Sequence, residues 1–303
     1  MLRNLLLYLS DSQAARQWLT SSPLGRRLAA RFIAGETMAD ALRVVRQLND
    51  EGFVATLDYL GENVREPRQA AEAADVYLNL LDRLAEENAQ SHVSVKLTQL
   101  GLALREDLAR AYLARIVQRA SLHKIFVRID MEGSACTEST LRILRQIDAA
   151  RDTLGVAIQA YLNRSEKDIE DLIRERVRVR LVKGAYKEPP DIAFPSKTEV
   201  DRNFARLMRK LLASGEYHAI ATHDSRMIAA TEAYARELGL GHDRFEFQML
   251  YGIRRQLQRQ LRARSYTVRV YVPFGRQWYG YLTRRLAERP ANLLFLVRNL
   301  FRG

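Results

Sequence analysis

The sequence predicts an α/β fold, a (β/α)8 barrel of the TIM type with extra N-terminal helices. Short β-branched or apolar runs alternate with longer amphipathic stretches, and eight such runs recur at intervals of roughly 23 to 40 residues. A strand, a helix and a further strand at this spacing are typical of a parallel sheet with crossover helices. Eight repeats are the number that closes a barrel, and a doubly wound sheet is the second choice.

The predicted elements follow one another in a regular order. The first 49 residues are predicted to form helices, since residues 41–48 carry apolar side chains at helical spacing. The eight predicted strands are residues 53–57, 93–97, 125–129, 156–160, 179–182, 219–222, 245–248 and 268–272. The predicted helices between them are residues 67–86, 104–120, 138–154, 166–176, 200–213, 225–238 and 252–262. We expect N-terminal helices over residues 1–49 that pack on one barrel over residues 50–303.

The junctions between predicted strands and helices lack two nucleotide-binding signatures. Neither the glycine-rich turn of dinucleotide-binding folds nor a P-loop occurs at any of them. Since such turns hold the phosphates in doubly wound nucleotide-binding proteins, their absence favours the barrel. No Pro- or Ser-rich linker divides the chain, so we expect one domain with its N-terminal helices packed against it.

Composition limits the compartment and the kinds of site. The single cysteine, Cys136, excludes a disulfide framework and any multi-cysteine metal or iron-sulfur site, which favours a reducing compartment. No apolar run approaches the roughly 20 residues that span a bilayer. The N-terminus has no long apolar core followed by a small-residue cleavage site. We expect a protein that is neither secreted nor integral to a membrane.

The net charge of +12 is concentrated in the last part of the chain. Residues 251–303 contain twelve arginines against one acid, Glu288. Such asymmetry is typical of proteins that meet nucleic acid, an anionic membrane surface or phosphate-bearing ligands. Because no zinc finger, RNA-binding sheet signature or basic leucine zipper is present, we expect no nucleic-acid partner. The apolar and then basic N-terminal segment predicts a surface-lying helix or a transit peptide, with packing on the barrel as the preferred interpretation.

The predicted strands end in polar side chains. These are Asp58, Lys96, Asp130, Gln159, Arg180, Lys183, Thr222, His223, Gln248 and Tyr271. Barrel enzymes build their active sites at the C-terminal rim, and a buried polar group without a partner costs about 1 to 3 kcal/mol. Any one of these groups has a structural explanation, but eight strands that all end in this way predict one site.

A pair of arginines follows the last predicted strand. In a helix Arg284 and Arg285 share a face with Tyr281, which precedes them by three and four residues. Glu288 follows one turn later. Paired guanidiniums bind a carboxylate bidentately and stay charged at any working pH, so this face suits a small carboxylate ligand. The alternative is a solvated basic helix, since charged residues mostly lie on surfaces.

Two chemistries remain open for the rim. No trio of histidine or carboxylate residues has the spacing of a metal site, so we expect no metal, and no Gly-x-Ser-x-Gly turn supports a serine nucleophile. One chemistry is a Schiff base through Lys96 or Lys183. The other is a cofactor enzyme that binds a phosphate-bearing organic cofactor, with a close-approach glycine and an aromatic platform in Lys183-Gly184-Ala185-Tyr186.

Taken in order, the motifs of the rim resemble those of the proline dehydrogenase family, the flavin-dependent barrels that open proline degradation. The matching segments are TLDYLGE (56–62), SVKLT (94–98), RIDME (128–132), RLVKGAY (180–186), ATH (221–223), EFQMLYG (246–252), YVP (271–273) and YLTRRLAE (281–288). The resemblance covers residues from about 35 to 292. So many ordered motifs along a whole barrel are far more specific than any one short pattern.

The resemblance implies a reaction and a cofactor. L-proline is oxidised across the bond between the ring nitrogen and the δ-carbon to 1-pyrroline-5-carboxylate. The hydride passes to N5 of FAD, and a quinone then reoxidises the flavin.

The resemblance also implies a role for each matched residue. The substrate-binding residues are Lys96, Arg284 and Arg285 at the carboxylate, and Tyr186, Leu250 and Tyr271 around the pyrrolidine ring. The catalytic residues are Arg180, near N5 and O4 of the isoalloxazine, and Asp130, which orients the cationic cluster. The cofactor-binding residues are Met131 and Gln159 at the ring system, Lys183, Gly184, Ala185, Thr222 and His223 at the ribityl-pyrophosphate part, and Glu288.

The expected partners follow from the resemblance and the charge pattern. They are L-proline, a membrane quinone as electron acceptor, and an anionic membrane met peripherally through the arginine-rich residues 252–264 and the N-terminal helices. Because the chain ends at Gly303, without length for a fused aldehyde dehydrogenase, we expect a separate pyrroline-5-carboxylate dehydrogenase downstream. The expected location is the cytoplasm, at the inner face of the cell membrane, with the mitochondrial matrix as the alternative.

Three other functions are compatible with parts of the pattern. The nearest is a flavin barrel enzyme of the methylenetetrahydrofolate reductase type, which takes electrons from a reduced nicotinamide. A Schiff-base aldolase and a basic protein that binds nucleic acid are more distant. A flavin spectrum separates the last two from the first, and its response to L-proline and NADH separates the remaining candidates.

Overall fold

The computed structural model describes residues 22, 25, 29–61, 64–148, 153–186 and 188–288, with the backbone alone for 284–288. Its strands are β1 (Val54–Tyr59), β2 (Ser91–Val95), β3 (Val127–Ile129), β4 (Leu154–Gln159), β5 (Arg178–Val182), β6 (His218–Ala221), β7 (Phe245–Leu250) and β8 (Thr267–Phe274). Its helices are α1 (Met38–Asp50), α2 (Pro67–Glu86), α3 (Glu106–Leu122), α4 (Ser134–Gln146), α5 (Ser165–Arg174), α6 (Lys197–Ala213), α7 (Ser225–Glu237), α8 (Arg255–Ala263) and α9 (Trp278–Glu288).

The strands form a closed barrel in sequence order, and the predicted (β/α)8 fold class is confirmed. Each strand is parallel to both neighbours, and β1 pairs with β8 as well as with β2. This closure excludes the doubly wound sheet, which has two open edges. Because all strands are parallel, their C-terminal ends meet at one rim, as the polar side chains at the predicted strand ends require.

The prediction of a helix over residues 138–154 is wrong at both ends. α4 begins at Ser134 and ends at Gln146, because Ile147 takes an extended conformation. Leu154 instead opens β4, where it lies opposite Val127 of β3. An apolar residue that continued the helical spacing is buried in the sheet, which shows that periodicity alone does not separate a helix end from the start of a buried strand.

The barrel interior is polar over much of its length. In β7 and β8, Glu246 and Arg269 form an ion pair at 2.9 Å, with side chains only 1% and 7% exposed. Their neighbours along the strands, such as Phe247 and Val270, belong to the outer apolar core between sheet and helices. Alternate residues of each strand therefore divide between the two sides of the sheet, as the pleat requires.

A short segment before α1 packs on α9. This N-terminal strap, residues 29–36, forms a hydrophobic cluster of its own with the end of β1 and with α9, made of Ala29, Phe32, Ile33, Leu60, Trp278, Tyr279, Tyr281 and Leu282. Trp278 Nε1 donates to Glu36 Oε1 at 3.0 Å, and Ala34 N donates to Pro273 O at 2.9 Å. The strap thus fastens the helix that carries the predicted arginine pair.

The rest of the N-terminal region is described in part. α1 begins with a capping box between Thr37 and Asp40, and it buries Leu42 and Val45 in the main core. Residues 1–21, on which the surface-helix and transit-peptide predictions depend, lie outside the described residues. The boundary at residue 49 between N-terminal helices and barrel stays a prediction. Within the described ranges, no helix is both long and apolar enough to cross a bilayer.

Replacing Gly252 with alanine should destabilise the fold more than the same change at Gly239. Both glycines have positive φ, +75° and +66°, which an alanine adopts at a cost of about 1 to 2 kcal/mol. A Cβ at Gly252 would lie 1.6 Å from the carbonyl oxygen of Arg31 in the strap, whereas nothing lies within 4 Å of one at Gly239. In urea unfolding, we expect Gly252→Ala to lower the free energy of unfolding by about 1 to 3 kcal/mol more than Gly239→Ala does. Equal losses would contradict the packing of the strap against the loop after β7.

Candidate active site

One cavity of about 420 Å³ opens at the C-terminal ends of the strands. Thirteen of the sixteen predicted site residues line it: Lys96, Asp130, Met131, Gln159, Arg180, Lys183, Gly184, Ala185, Tyr186, Thr222, His223, Leu250 and Tyr271. The other three, Arg284, Arg285 and Glu288, lie on α9, but their side chains are outside the described part of the chain. The roles predicted for all sixteen remain predictions.

A set of five side chains, which we call the charged floor, forms the bottom of the cavity: Asp58, Lys96, Asp130, Arg180 and Tyr271. Lys96 Nζ lies 2.7 Å from both carboxylate oxygens of Asp58 and 3.7 Å from Asp130 Oδ2. Asp130 accepts one hydrogen bond on each oxygen, from Arg180 Nη1 at 2.5 Å and from the Tyr271 hydroxyl at 2.7 Å. Two cations and two carboxylates therefore balance in one hydrogen-bonded group.

Arg180 is held rigidly at the centre of this group. Besides its bond to Asp130, Nη2 donates to Ser94 Oγ at 2.9 Å, and the guanidinium lies 5.4 Å from the centroid of the Tyr271 ring. Its Nε is buried and has no hydrogen-bond partner among the described residues. A guanidinium fixed on two sides, with a donor still unsatisfied, is a permanent positive charge suited to an anionic or electron-rich ligand.

Burial sets the protonation of the neighbouring hydroxyl and carboxyl groups. Burial raises the pKa of Tyr271 well above its usual value, and the Asp130 carboxylate raises it further. Tyr271 therefore stays a neutral donor at alkaline pH. Burial also raises the pKa of Asp58, while Lys96 opposes this shift through charge and hydrogen bonding.

A second charged group, the rim cluster, lies where α6 and α7 begin: Lys183, Lys197, Asp201, Asp224 and Arg226. Lys183 Nζ bonds Asp201 and lies 2.9 Å from Asp224, and Lys197 Nζ lies 2.7 Å from Asp201. Although burial raises the pKa of Asp224, its bonds with Lys183 and the Arg226 backbone outweigh burial and lower it to about 2. With three cations against two carboxylates, the cluster keeps one positive charge in excess.

The backbone after β5 approaches the cavity closely. Gly184 has φ +121°, and a Cβ there would lie 2.2 Å from the ring of Tyr161. Gln159 donates to Glu132 O at 2.8 Å and faces Ala185 N at 3.4 Å. Only a glycine fits at 184 because of the Tyr161 ring, and the predicted close approach of Gly184 to a cofactor stays a prediction.

His223 holds the end of β7 in place. Its Nε2 accepts the hydrogen bond of Leu250 N at 2.9 Å, so this nitrogen is unprotonated in the described arrangement. One ring nitrogen thus has a structural partner. The cofactor-binding role of His223 stays a prediction.

Sequence reasoning missed several residues of the site. Asp58 was recognised at the rim but given no role, and Lys197, Asp201, Asp224 and Arg226 were not singled out. Asp224 directly follows His223 at the end of β6, and this position was the available signal. In the described ranges, no group of three histidine, cysteine or carboxylate residues is placed to hold a metal ion.

Comparison with known proteins agrees with this geometry. A family model described as proline dehydrogenase matches residues 41–298. Proline dehydrogenase 2 of Bacillus subtilis is 43% identical over 303 residues, and the match covers 98% of this chain and 98% of that protein. Proline dehydrogenase of Deinococcus radiodurans is 40% identical over 281 residues, which are 91% of each chain.

A solved structure shares the fold. Proline utilization A (PutA) from Bdellovibrio bacteriovorus, in a structure inactivated by N-propargylglycine, superposes with a TM-score of 0.81 at 27% identity. The match covers 86% of this chain and 32% of that one, so this chain spans about a third of the length of PutA. The family model and the near full-length relatives confirm the resemblance found in the motifs: the chain belongs to the proline dehydrogenase family.

Proposed function

We propose that the protein is an FAD-dependent proline dehydrogenase that oxidises L-proline to 1-pyrroline-5-carboxylate and passes the electrons to a membrane quinone. The observation that carries the proposal is the charged floor under a rim cavity in a chain of this family. Oxidation of the product then belongs to a separate pyrroline-5-carboxylate dehydrogenase.

The cavity residues fit FAD. Arg180 Nε and Gln248 Oε1 are buried polar atoms without a partner among the described residues, and both side chains line the cavity, so a polar ligand would satisfy them. The excess positive charge of the rim cluster suits a diphosphate. We assign the isoalloxazine to Met131, Gln159 and Arg180, and the ribityl-pyrophosphate part to Lys183, Gly184, Ala185, Thr222 and His223, with Glu288 as a further cofactor-binding residue. When bound, FAD supplies the hydride acceptor.

The protein's own residues would bind and orient the substrate. Lys96 lies on the cavity floor, and helical spacing puts positions 284 and 285 on the face of α9 that carries the cavity-lining Tyr281. These three cations are assigned to the proline carboxylate, and Tyr186, Leu250 and Tyr271 to its ring. A site this rich in cations favours the neutral amine of proline over the ammonium form. The neutral amine is the form that can lose a hydride. Arg180, held by Asp130, stabilises developing negative charge without giving up a proton.

Anaerobic titration of the purified protein tests the proposal. We expect a yellow protein whose flavin absorbance is bleached by L-proline and not by NADH. Preincubation with N-propargylglycine, the compound that inactivated PutA from Bdellovibrio bacteriovorus, should prevent bleaching by proline. Bleaching by NADH alone would favour an enzyme of the methylenetetrahydrofolate reductase type, and a colourless protein that cannot be loaded with FAD would refute the flavin assignment.

Replacing Arg284 or Arg285 with methionine should raise the KM for proline. A lost hydrogen bond to a charged group is worth about 1.5 to 3 kcal/mol, so we expect an increase of about 10- to 100-fold in each variant, with flavin content unchanged. Arg276→Met is the matched control, since Arg276 is exposed and precedes the same helix. Steady-state kinetics with flavin quantification checks this. Loss of flavin at unchanged KM would move the pair from substrate to cofactor.

We further propose that the basic face of α8 holds the enzyme at an anionic membrane, where the quinone resides. Five exposed arginines lie in or beside α8: Arg254, Arg255, Arg259, Arg262 and Arg264. Among the residues that the structure describes, two of them have an acidic partner, Arg259 with Glu51 at 3.1 Å and Arg264 with Glu232 at 2.8 Å. The remaining charge is available to lipid headgroups. The location that goes with this proposal is the cytoplasm, at the inner face of the cell membrane.

Co-sedimentation with liposomes tests the membrane proposal. The protein should bind vesicles that contain phosphatidylserine at low salt and dissociate as salt rises, because exposed charges are screened. The double variant Arg255→Gln and Arg259→Gln should bind more weakly. The same loss of two charges on α4, Arg142→Gln with Arg145→Gln, is the control, because α4 follows β3 on the opposite side of the barrel from α8. Equal binding by both variants, or none by the unchanged protein, would contradict the proposal.

A further inference from the structure

Asp58 is a fully buried carboxylate at the end of β1. Its side chain is 1% exposed, and its position lies opposite Ser94 of β2 and Pro273 of β8. Both of its oxygens lie 2.7 Å from Lys96 Nζ. Neither the motif resemblance nor the site prediction gave Asp58 a role, although it lines the cavity.

The geometry of this contact orients Lys96. An ammonium group has three N–H donors, and a carboxylate that faces it with both oxygens at 2.7 Å engages two of them. Two further polar atoms lie farther from Nζ, the Tyr271 hydroxyl at 3.5 Å and Asp130 Oδ2 at 3.7 Å. Asp58 therefore sets the position of Nζ and the direction of the third donor.

Among the described residues, Asp58 is also the carboxylate nearest to Lys96 Nζ. Among the described residues, the charged and titratable groups around Lys96 include Asp58 from β1, Asp130 after β3, Arg180 from β5 and Tyr271 from β8, and Tyr77 of α2 bonds the backbone of Ser94 beside them. Asp130 is already bonded by Arg180 and Tyr271. Burial and the nearby Arg180 both favour a neutral lysine, and among the described residues the Asp58 carboxylate is the nearest group that opposes deprotonation, with Asp130 farther away at 3.7 Å.

We propose that Asp58 is a positioning residue for substrate binding, which acts by keeping Lys96 protonated and aimed at the carboxylate of the amino-acid substrate. The inference rests on the proposed function and extends it, since it assigns the charge of Lys96 to a residue outside the predicted contact set. A neutral Lys96 amine would lose its attraction for a carboxylate. The protonation of Lys96 would then depend on pH in the working range.

The variant Asp58→Asn tests this, because it removes the charge and keeps the shape. We expect a KM for proline about 10-fold higher than that of the unchanged protein at neutral pH. The ratio should grow by up to 10-fold for each pH unit above the point where Lys96 begins to lose its proton. Changes in kcat should be smaller, and flavin content should stay the same.

Two further variants isolate the route through Lys96. In Lys96→Arg, the guanidinium stays charged without a counter-ion, so adding Asp58→Asn to it should leave the pH dependence of KM unchanged. In Lys96→Met, adding Asp58→Asn should raise KM no further. A purely structural role of Asp58 predicts instead that Asp58→Asn has the same effect in all three backgrounds.

The outcomes separate this inference from the proposed function. Parallel pH profiles of KM for the unchanged protein and Asp58→Asn would overturn the inference alone. Absence of proline turnover by the unchanged, flavin-loaded protein would overturn the proposed function and the inference with it. If Asp58→Asn does not fold, Asp58→Glu takes its place, because it keeps the charge. A raised KM for proline with an unchanged pH profile then supports the inference. A steeper pH profile of KM contradicts it.

Discussion

The rest of the site depends on the two hydrogen bonds that the Asp130 carboxylate accepts. One of its oxygens accepts from Arg180 and the other from Tyr271, so it joins β5 and β8 across the barrel mouth. Burying two cations and two carboxylates is unfavourable unless every one is paired and hydrogen-bonded. Asp130 and Asp58 meet this requirement between them, and removing either would leave a cation buried beside like charge.

The arrangement extends below the floor into the barrel. Arg180 reaches Ser94 Oγ, which in turn lies 3.1 Å from Thr56 Oγ1, so the floor is fastened to β1 and β2 as well. Deeper in the interior, Arg269 and Arg128 outnumber Glu246. Arg128 donates through Nη1 to carbonyl oxygens, among them Val156 O at 3.2 Å, and its guanidinium lies 4.7 Å from the centroid of the Phe126 ring, while its buried Nε has no hydrogen-bond partner among the described residues. Most barrels fill this space with branched apolar side chains. Here these side chains carry a net positive charge beneath the cavity. A positive potential suits a ligand that accepts electrons and carries phosphate.

The sequence predicted those features that depend on local pattern and on parallel pairing. Eight alternating runs were enough for the barrel, and closure in sequence order then brought polar strand ends such as Lys96, Arg180 and Tyr271 to one cavity. The pairing of Lys183 with Asp201 and Asp224 was not predictable, because it depends on how α6 and α7 are set against the sheet. The same holds for Leu154, whose apolar side chain suits a helix end and a buried strand equally well.

The contact between the strap and α9 shows why the candidate substrate site is not a property of the barrel alone. Residues 29–36 and 278–282 are separated by almost the whole chain, so no local periodicity in the sequence predicts their contact. α9 follows β8 and must lean over the cavity for Tyr281 to line it, which draws the helix away from the main core. Trp278 and Leu282 are instead buried against the strap, and the Trp278 to Glu36 hydrogen bond fixes the start of the helix. Because productive binding requires charged groups held to within a fraction of an ångström, a helix with the proposed role of α9 needs such external support. If the proposed assignment of the arginine pair holds, two segments far apart in the sequence contribute to substrate binding: α9 carries the pair, and the strap holds that helix in place.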